Sequence, residues 1–142
     1  INTHSDDRLK HNEEDLSNCL SVIRKLKPQK YQKTVEIKAA DFNGPLEENE
    51  YSTEAGFIAQ DILNIPELAY SVTRGDYTQQ VVDSSGTITE TIIERPFNLN
   101  YNNILTYNVA ATKELDTKLD TTVAELLAEI ASLKQRLSLL EN

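Results

Sequence analysis

Sulfur is almost absent from this chain of 142 residues. It contains one cysteine, Cys19, and no methionine. A lone cysteine excludes a disulfide framework within the chain and leaves the redox compartment undecided. Because no methionine is available for initiation, we expect the chain to be a fragment of a longer protein.

Motifs for phosphate, metal and membrane binding are missing as well. Only four glycines are present, and they form no Gly-rich phosphate loop. His4 and His11 with one cysteine give no zinc-ligand spacing. We therefore predict no cofactor and no metal. No apolar run approaches the roughly 20 residues of a membrane span and no signal peptide is recognisable, so we predict no membrane partner for this fragment.

Negative charge dominates what is present. The chain has 14 basic and 23 acidic side chains, and its net charge is −9. Residues 1–40 hold eight basic and six acidic side chains, so residues 41–142 carry a net charge of −11. The mildly basic stretch between Arg24 and Lys38 is accompanied by no recognisable nucleic-acid module, and we predict no nucleic-acid partner.

An apolar seam with the spacing of a coiled coil occupies the last third of the chain. Its members alternate at intervals of four and three residues, an average of 3.5 that matches a heptad. Two opposite-charge pairs, Glu129 with Lys134 and Arg136 with Glu141, fall at the g and e positions that meet across a parallel interface. The seam residues are Leu119, Val123, Leu126, Ile130, Leu133, Leu137 and Leu140.

This seam predicts an oligomer of identical chains. The sequence has no second heptad run, so the partner surface has to come from other copies. Burial of seven seam residues at about 1.5–3 kcal/mol each amounts to about 10–20 kcal/mol per chain before opposing terms are subtracted. The alternative is a single amphipathic helix packed on its own domain. Val123 and Ile130 at a, with leucine at d, on their own favour two strands.

Residues before the seam show helical and then extended patterns. Asn12, followed by three acidic residues, predicts the N-cap of an amphipathic helix that ends before Pro28. Alternating apolar residues from Lys30 to Ala39 predict a half-buried strand. Asn-Gly-Pro and several acidic residues predict a loop over residues 41–50.

Three more extended segments follow. An apolar run within residues 51–60 predicts a central strand, and residues 68–73 predict another. The segments 77–82 and 87–93, joined across a turn that contains Gly86, predict a β-hairpin.

We expect an α+β fold, with a small mixed helix and strand head followed by a long C-terminal coiled-coil helix. Residues 1–4 are then a residual upstream segment, residues 5–100 the globular head, and residues 101–142 the coiled-coil helix.

Two short boxes carry the candidate chemistry. The first, Ser5-Asp6-Asp7-Arg8-Leu9-Lys10, places a hydroxyl five residues before an amine. Taken alone, this spacing is also typical of an exposed helix lead-in, with Asp6 and Arg8 as ordinary surface charges. The second box is Gly56-Phe57-Ile58-Ala59-Gln60, in the predicted central strand.

The order of these boxes resembles a known domain. Between them lie Leu26-Lys27-Pro28 and Tyr31, and Tyr101-Asn102-Asn103-Ile104-Leu105 opens the heptad helix. This order resembles the intramolecular chaperone auto-processing domain at the C-terminus of phage endosialidase tailspikes and tail fibres. A similar domain lies inside the membrane-bound myelin regulatory factor. The resemblance runs from Ser5 to the C-terminus and leaves the hairpin around residues 75–95 unmatched.

The resemblance implies a homotrimer that cleaves itself between His4 and Ser5 after assembly. The catalytic residues that the resemblance implies are Ser5 as the nucleophile and Lys10 as the base. The implied partner is the upstream part of the chain's own precursor. The resemblance also implies a coiled coil of three helices. We adopt three over two because the globular heads contribute to the interface. The parent protein is open between a virion tail fibre, a tailspike and a membrane-tethered regulator, and no localisation is assigned.

Serine and lysine suit this chemistry under one condition. A serine hydroxyl is a poor nucleophile until a neighbour removes its proton, and a lysine does so only when neutral. We expect a trimer interface to bury Lys10 and favour that neutral form, which so small a domain cannot achieve alone. Because Ser5 lies on the C-terminal side of the bond, an N-to-O acyl shift followed by hydrolysis is the simplest route.

Two other functions fit the same sequence. One is a non-cleaving module that aligns three chains, in which Ser5 is structural. The other is a coiled-coil adaptor whose head binds a protein partner. The length of the product on a denaturing gel distinguishes the first from a self-cleaving chaperone, and binding by the isolated head tests the second.

Overall fold

The computed structural model describes residues 4–142, so residues 1–3 of the predicted upstream segment lie outside the described part of the chain. Two compact units are formed. The first combines the N-terminal segment as far as Ile23 with Thr106–Asn142, and the second comprises Arg24–Leu105.

Short strands precede one long helix. Two 3-10 turns occur at Asp7–Leu9 and Ala69–Ser71. The predicted mixed α+β class, a small strand-rich region with a long C-terminal helix, is confirmed. The helices and strands in chain order are α1 (Cys19–Ile23), β1 (Gln29–Thr34), β2 (Tyr51–Gly56), α2 (Ala59–Leu63), β3 (Val72–Thr73), β4 (Tyr77–Val82), β5 (Ile88–Ile93), β6 (Asn98–Leu99) and α3 (Tyr101–Glu141).

The predicted helix start at Asn12 is wrong. Helix α1 begins seven residues later, at Cys19, and has only five residues. Asn12 has a φ of 56°, in the left-handed region that asparagine tolerates and that differs from the extended conformation typical of an N-cap residue. The N-terminus of α1 is capped instead by a side chain that is distant in sequence, that of Glu114.

Strands β1 and β2 form a two-stranded antiparallel sheet. Their register runs from Gln29 opposite Gly56 to Thr34 opposite Tyr51, so every residue of β1 has a partner. The predicted strand over residues 30–39 is too long because β2 provides no partner beyond Thr34. The predicted strand within residues 51–60 is confirmed as β2, but its central position is wrong, since β2 pairs within the described residues only with β1.

Apolar residues around α2 supply the core of the second unit. Leu68 and Ile62 are at most 1% exposed. The predicted strand over residues 68–73 is confirmed only at β3, because the residues before it form a 3-10 turn. The buried Ser71 at the end of that turn accepts hydrogen bonds from the backbone N–H of Asn100 at 2.8 Å and from Asn103 Nδ2 at 3.1 Å.

The predicted hairpin is confirmed as β4 and β5. Its turn contains Gly86 at a φ of 83°, where a side chain would be strained. The hairpin base is closed by a hydrogen bond from the Arg95 N–H to Asp76 and by the Arg95 guanidinium over the Tyr77 ring. Nearly all residues of both arms are exposed.

Helix α3 has 41 residues and is therefore about 62 Å long. The first unit buries Tyr107 and Ala111 near the start of this helix and Cys19 and Val22 in α1. The C-terminal turns of α3 bury nothing in the single chain. The coiled coil and the number of helices in it therefore stay predictions.

Candidate functional site

The Ser5–Lys10 box folds as one tight turn. The N–H of Leu9 donates to the Asp6 carbonyl and the N–H of Lys10 to the Asp7 carbonyl, both at 3.0 Å. Asp6 and Lys10 themselves are extended, with ψ values of 134° and 130°. A short 3-10 turn between two extended residues reverses the chain locally and returns Lys10 towards Ser5.

The two predicted catalytic side chains are in contact. Lys10 Nζ donates a hydrogen bond to Ser5 Oγ at 2.5 Å. In this arrangement the amine is the donor and the hydroxyl the acceptor. A neutral amine accepting the serine proton would use the same pair of atoms with the roles reversed.

Asp6 and Arg8, which the sequence predicts to be ordinary surface charges, are bonded to each other beside this contact. Asp6 caps the turn by accepting the Arg8 N–H at 2.9 Å. Its carboxylate also accepts the Arg8 guanidinium at both oxygens. This guanidinium lowers the pKa of the Asp6 carboxyl and the carboxylate raises that of Arg8. This bidentate pairing depends on the side-chain conformations, and its only signal in the sequence is the Asp-x-Arg spacing.

Solvent surrounds the whole box in the single chain. His4, Ser5 and Lys10 are all exposed, and no residue of the turn is buried. The single chain therefore holds the candidate nucleophile and the amine in contact but leaves both of them exposed to water.

The second box lies in the second unit and packs against tyrosines. A Cβ on Gly56 would lie 2.7 Å from the Tyr31 hydroxyl oxygen and closer still to that of Tyr101. The N–H of Phe57 donates to the Tyr101 hydroxyl at 3.2 Å. The hydrogen bond to Tyr101, and then burial, raise the pKa of the Tyr31 phenol. Gly56 is thus required by space, and this box has a packing role.

The predicted seam residues lie on α3 with no partner in the described chain. Their exposed fractions run from 45% for Val123 to 83% for Leu140. Leu127 and Leu139, which fall outside the a and d positions, are also more than 60% exposed. A stretch this apolar and this exposed is typical of an interaction surface.

Among residues 4–142, no three His, Cys, Asp or Glu side chains come together as a metal-binding group. Over the same residues, no helix combines the length and the apolar character that crossing a membrane requires.

Comparison with known proteins gives one family. Residues 5–71 match the family model described as chaperone of endosialidase, whose family name also classes it as a peptidase. The resemblance that the sequence suggested is therefore confirmed over this segment, and the match supports an intramolecular chaperone role. No curated protein matches the chain. The match ends at Ser71, so the resemblance of residues 72–142 stays a prediction.

Proposed function

Because residues 5–71 match the chaperone of endosialidase family, we propose that this chain is a C-terminal intramolecular chaperone that cleaves itself from its parent. It trimerises the parent protein and then releases itself by serine–lysine autoproteolysis between His4 and Ser5. Its partners are two further copies of the chain and the upstream part of its own precursor.

One observation carries the proposal. Lys10 Nζ lies 2.5 Å from Ser5 Oγ, within the reach that a base needs for its nucleophile. The family match also begins at Ser5, the residue that cleavage would leave as the new N-terminus.

The chemistry uses only these two side chains and water. Neutral Lys10 takes the proton of the Ser5 hydroxyl as Oγ attacks the carbonyl carbon of His4. The His4–Ser5 peptide bond breaks, the Ser5 nitrogen takes the proton from Lys10, and His4 is left as an ester on Oγ. Water then hydrolyses the ester, which releases the His4 carboxylate and restores the Ser5 hydroxyl.

Assembly is proposed to complete the site. In the single chain both side chains are exposed to water, whereas burial of an amine favours its uncharged form. Association through the α3 seam brings other copies of the first unit close to the box. Exclusion of water by those copies favours the neutral amine, which makes cleavage follow trimerisation.

The dyad is tested with two substitutions in the full chain carrying a reporter domain fused upstream of Ile1. Ser5→Ala should abolish release of the reporter because the nucleophile is lost. Lys10→Arg should do the same because a guanidinium stays protonated and cannot act as a base. Mass spectrometry of the products locates the cut. The control is Lys27→Arg, an exposed lysine elsewhere, which should cleave like the wild type. Cleavage by Lys10→Arg at the wild-type rate would refute the dyad.

The stoichiometry is tested separately. Three copies of the 16.0 kDa chain have a mass of 48 kDa, which we expect from light scattering at micromolar concentration. A mass of two chains would remove the trimer and favour the two-stranded preference of Val123 and Ile130 at the a positions.

A non-cleaving registration module is the second candidate. The exposed seam on α3 accounts for assembly without any chemistry. An intact reporter fusion that is nevertheless trimeric would favour this candidate.

A further inference from the structure

We infer that Asp6 and Arg8 form a positioning clip that holds Ser5 Oγ against Lys10 Nζ for self-cleavage. The inference rests on the proposed function and adds two residues to it. Neither is a catalytic residue in this proposal, since neither contacts the reacting atoms. They act through the backbone of the turn.

The geometry of the clip is specific. Asp6 Oδ1 accepts the Arg8 N–H at 2.9 Å and Arg8 Nε at 3.0 Å, while Asp6 Oδ2 accepts Arg8 Nη2 at 2.8 Å. Three charge-assisted hydrogen bonds therefore join two residues that are separated by one. They fix the backbone between the nucleophile and the amine, because both catalytic candidates flank the bonded pair.

Nothing else in the turn performs this task. No side chain of Asp7–Leu9 is buried, and Leu9 is 67% exposed. The 3-10 turn has only two backbone hydrogen bonds of its own. An isolated 3-10 turn of this length is held poorly by its own bonds. The clip is thus the main local restraint on the distance between Ser5 and Lys10.

The exposure of the Asp6 and Arg8 side chains distinguishes a positioning role from a stabilising role. The Arg8 side chain is 88% exposed and that of Asp6 43% exposed, and ion pairs this exposed contribute little to global stability. Loss of the clip should therefore leave fold and assembly intact. Reactivity is far more sensitive, because a misplacement of about 1 Å can slow a reaction about a hundredfold.

Arginine and aspartate are suited to these positions. The planar guanidinium matches both carboxylate oxygens, which a lysine ammonium cannot do. Asparagine caps a helical turn about as well as aspartate but lacks the second acceptor oxygen. Asp6→Asn therefore keeps the cap of the turn and loses one of the two acceptor oxygens for the guanidinium. Asp6→Ala loses the cap and both acceptor oxygens.

The experiment follows cleavage of the full chain, with the upstream reporter, after synthesis in a cell-free system. The first-order rate comes from gels, and light scattering and thermal unfolding are recorded on each product. Asp6→Ala should slow cleavage about 10- to 100-fold with mass and unfolding midpoint unchanged. Asp6→Asn should restore most of that loss. Asp7→Ala, which removes a neighbouring carboxylate outside the clip, should cleave like the wild type.

The double variant Asp6→Ala/Arg8→Ala tests whether the two side chains act together. If they form one clip, the double variant should be no slower than Asp6→Ala, because Arg8 has already lost its partner. Full additivity would show that Arg8 acts outside the clip and would overturn the pairing. A wild-type rate for Asp6→Ala would overturn the inference as a whole.

Ser5→Ala in the same assay separates this inference from the proposed function. If Ser5→Ala is inactive while Asp6→Ala is fully active, the clip fails and the dyad stands. If the wild-type chain does not cleave, or Ser5→Ala cleaves normally, the proposed function fails and the clip fails with it.

Discussion

Glu114 in helix α3 caps the N-terminus of α1 at Cys19. One oxygen of the Glu114 carboxylate accepts the Cys19 N–H at 2.8 Å, and the other accepts the Leu20 N–H at 2.9 Å. Two of the backbone donors that a helix leaves unpaired at its start are thereby satisfied. Burial, and then the nearby negative charge of Glu114, raise the pKa of the Cys19 thiol, which stays protonated.

This cap makes the stability of the first unit depend on pH. The Leu20 and then the Cys19 hydrogen bonds lower the pKa of Glu114 below its ordinary value of 4.5. Its contribution is therefore fully present above pH 4.5 and is lost as pH falls through the lowered value. Glu114→Gln should be less stable than the wild type in urea at pH 7, and the difference should shrink in acid.

Glu125→Gln is the matched control for that comparison. Glu125 is an exposed residue of the same helix, and its substitution should change the urea midpoint little at either pH. A difference between Glu114→Gln and wild type that stays constant from pH 7 to pH 3 would rule out the carboxylate as the origin of the effect.

Ile130→Asp tests whether assembly controls cleavage. In a trimer this change places three carboxylates in an apolar seam, where each uncompensated charge costs several kcal/mol. We expect monomeric or aggregated chains by light scattering, and no release of the reporter although Ser5 and Lys10 are unchanged.

Ser132→Asp introduces the same charge at an exposed position outside the seam and should leave assembly and cleavage normal. Complete cleavage by a chain that is demonstrably monomeric after Ile130→Asp would show that the dyad works without assembly.

Gly56→Ala tests the contact between the second box and the tyrosines. The added methyl group meets the hydroxyls of Tyr31 and Tyr101, and the rings have to move. Overpacked sites of this kind lose about 1–3 kcal/mol, which a urea denaturation series would measure. Gly75→Ala is the control, since nothing lies within 4 Å of a Cβ there.

Tyr101→Phe removes the nearer hydroxyl and makes room for the methyl group. Gly56→Ala/Tyr101→Phe should therefore be less destabilised than the sum of the two single variants. Strict additivity would mean that the two residues do not compete for the same space.

Local patterns predicted the elements that depend on local interactions. The hairpin was predicted within one residue, because its turn glycine and its alternating arms are neighbours in sequence. The heptads predicted the helix from Leu119 to Leu140, which is the C-terminal part of α3. The start of α1 was predicted wrongly because its cap, Glu114, lies 95 residues away from Cys19. The end of β1 depended in the same way on where β2 stops pairing.

The candidate site was likewise predictable only where it depends on residues that are close in sequence. The spacing of Ser5 and Lys10 was visible in the sequence, and the structure brings the two side chains together. The bidentate pairing of Asp6 with Arg8 depends on side-chain rotamers, so the sequence left both as surface charges. The seam was predicted from its heptad period and its flanking charges, and the packing of other copies against it stays a prediction.

The β4–β5 hairpin has a dynamic consequence of its own. Within the described residues its two strands pair only with each other, and both of its outer edges are open. A two-stranded hairpin without an apolar layer beneath it is marginally stable in water. Its amide hydrogens should therefore exchange with solvent through local opening, far faster than those of the buried turns around Ile62 and Leu68. The chain thus carries a segment that is expected to open locally without unfolding of its core.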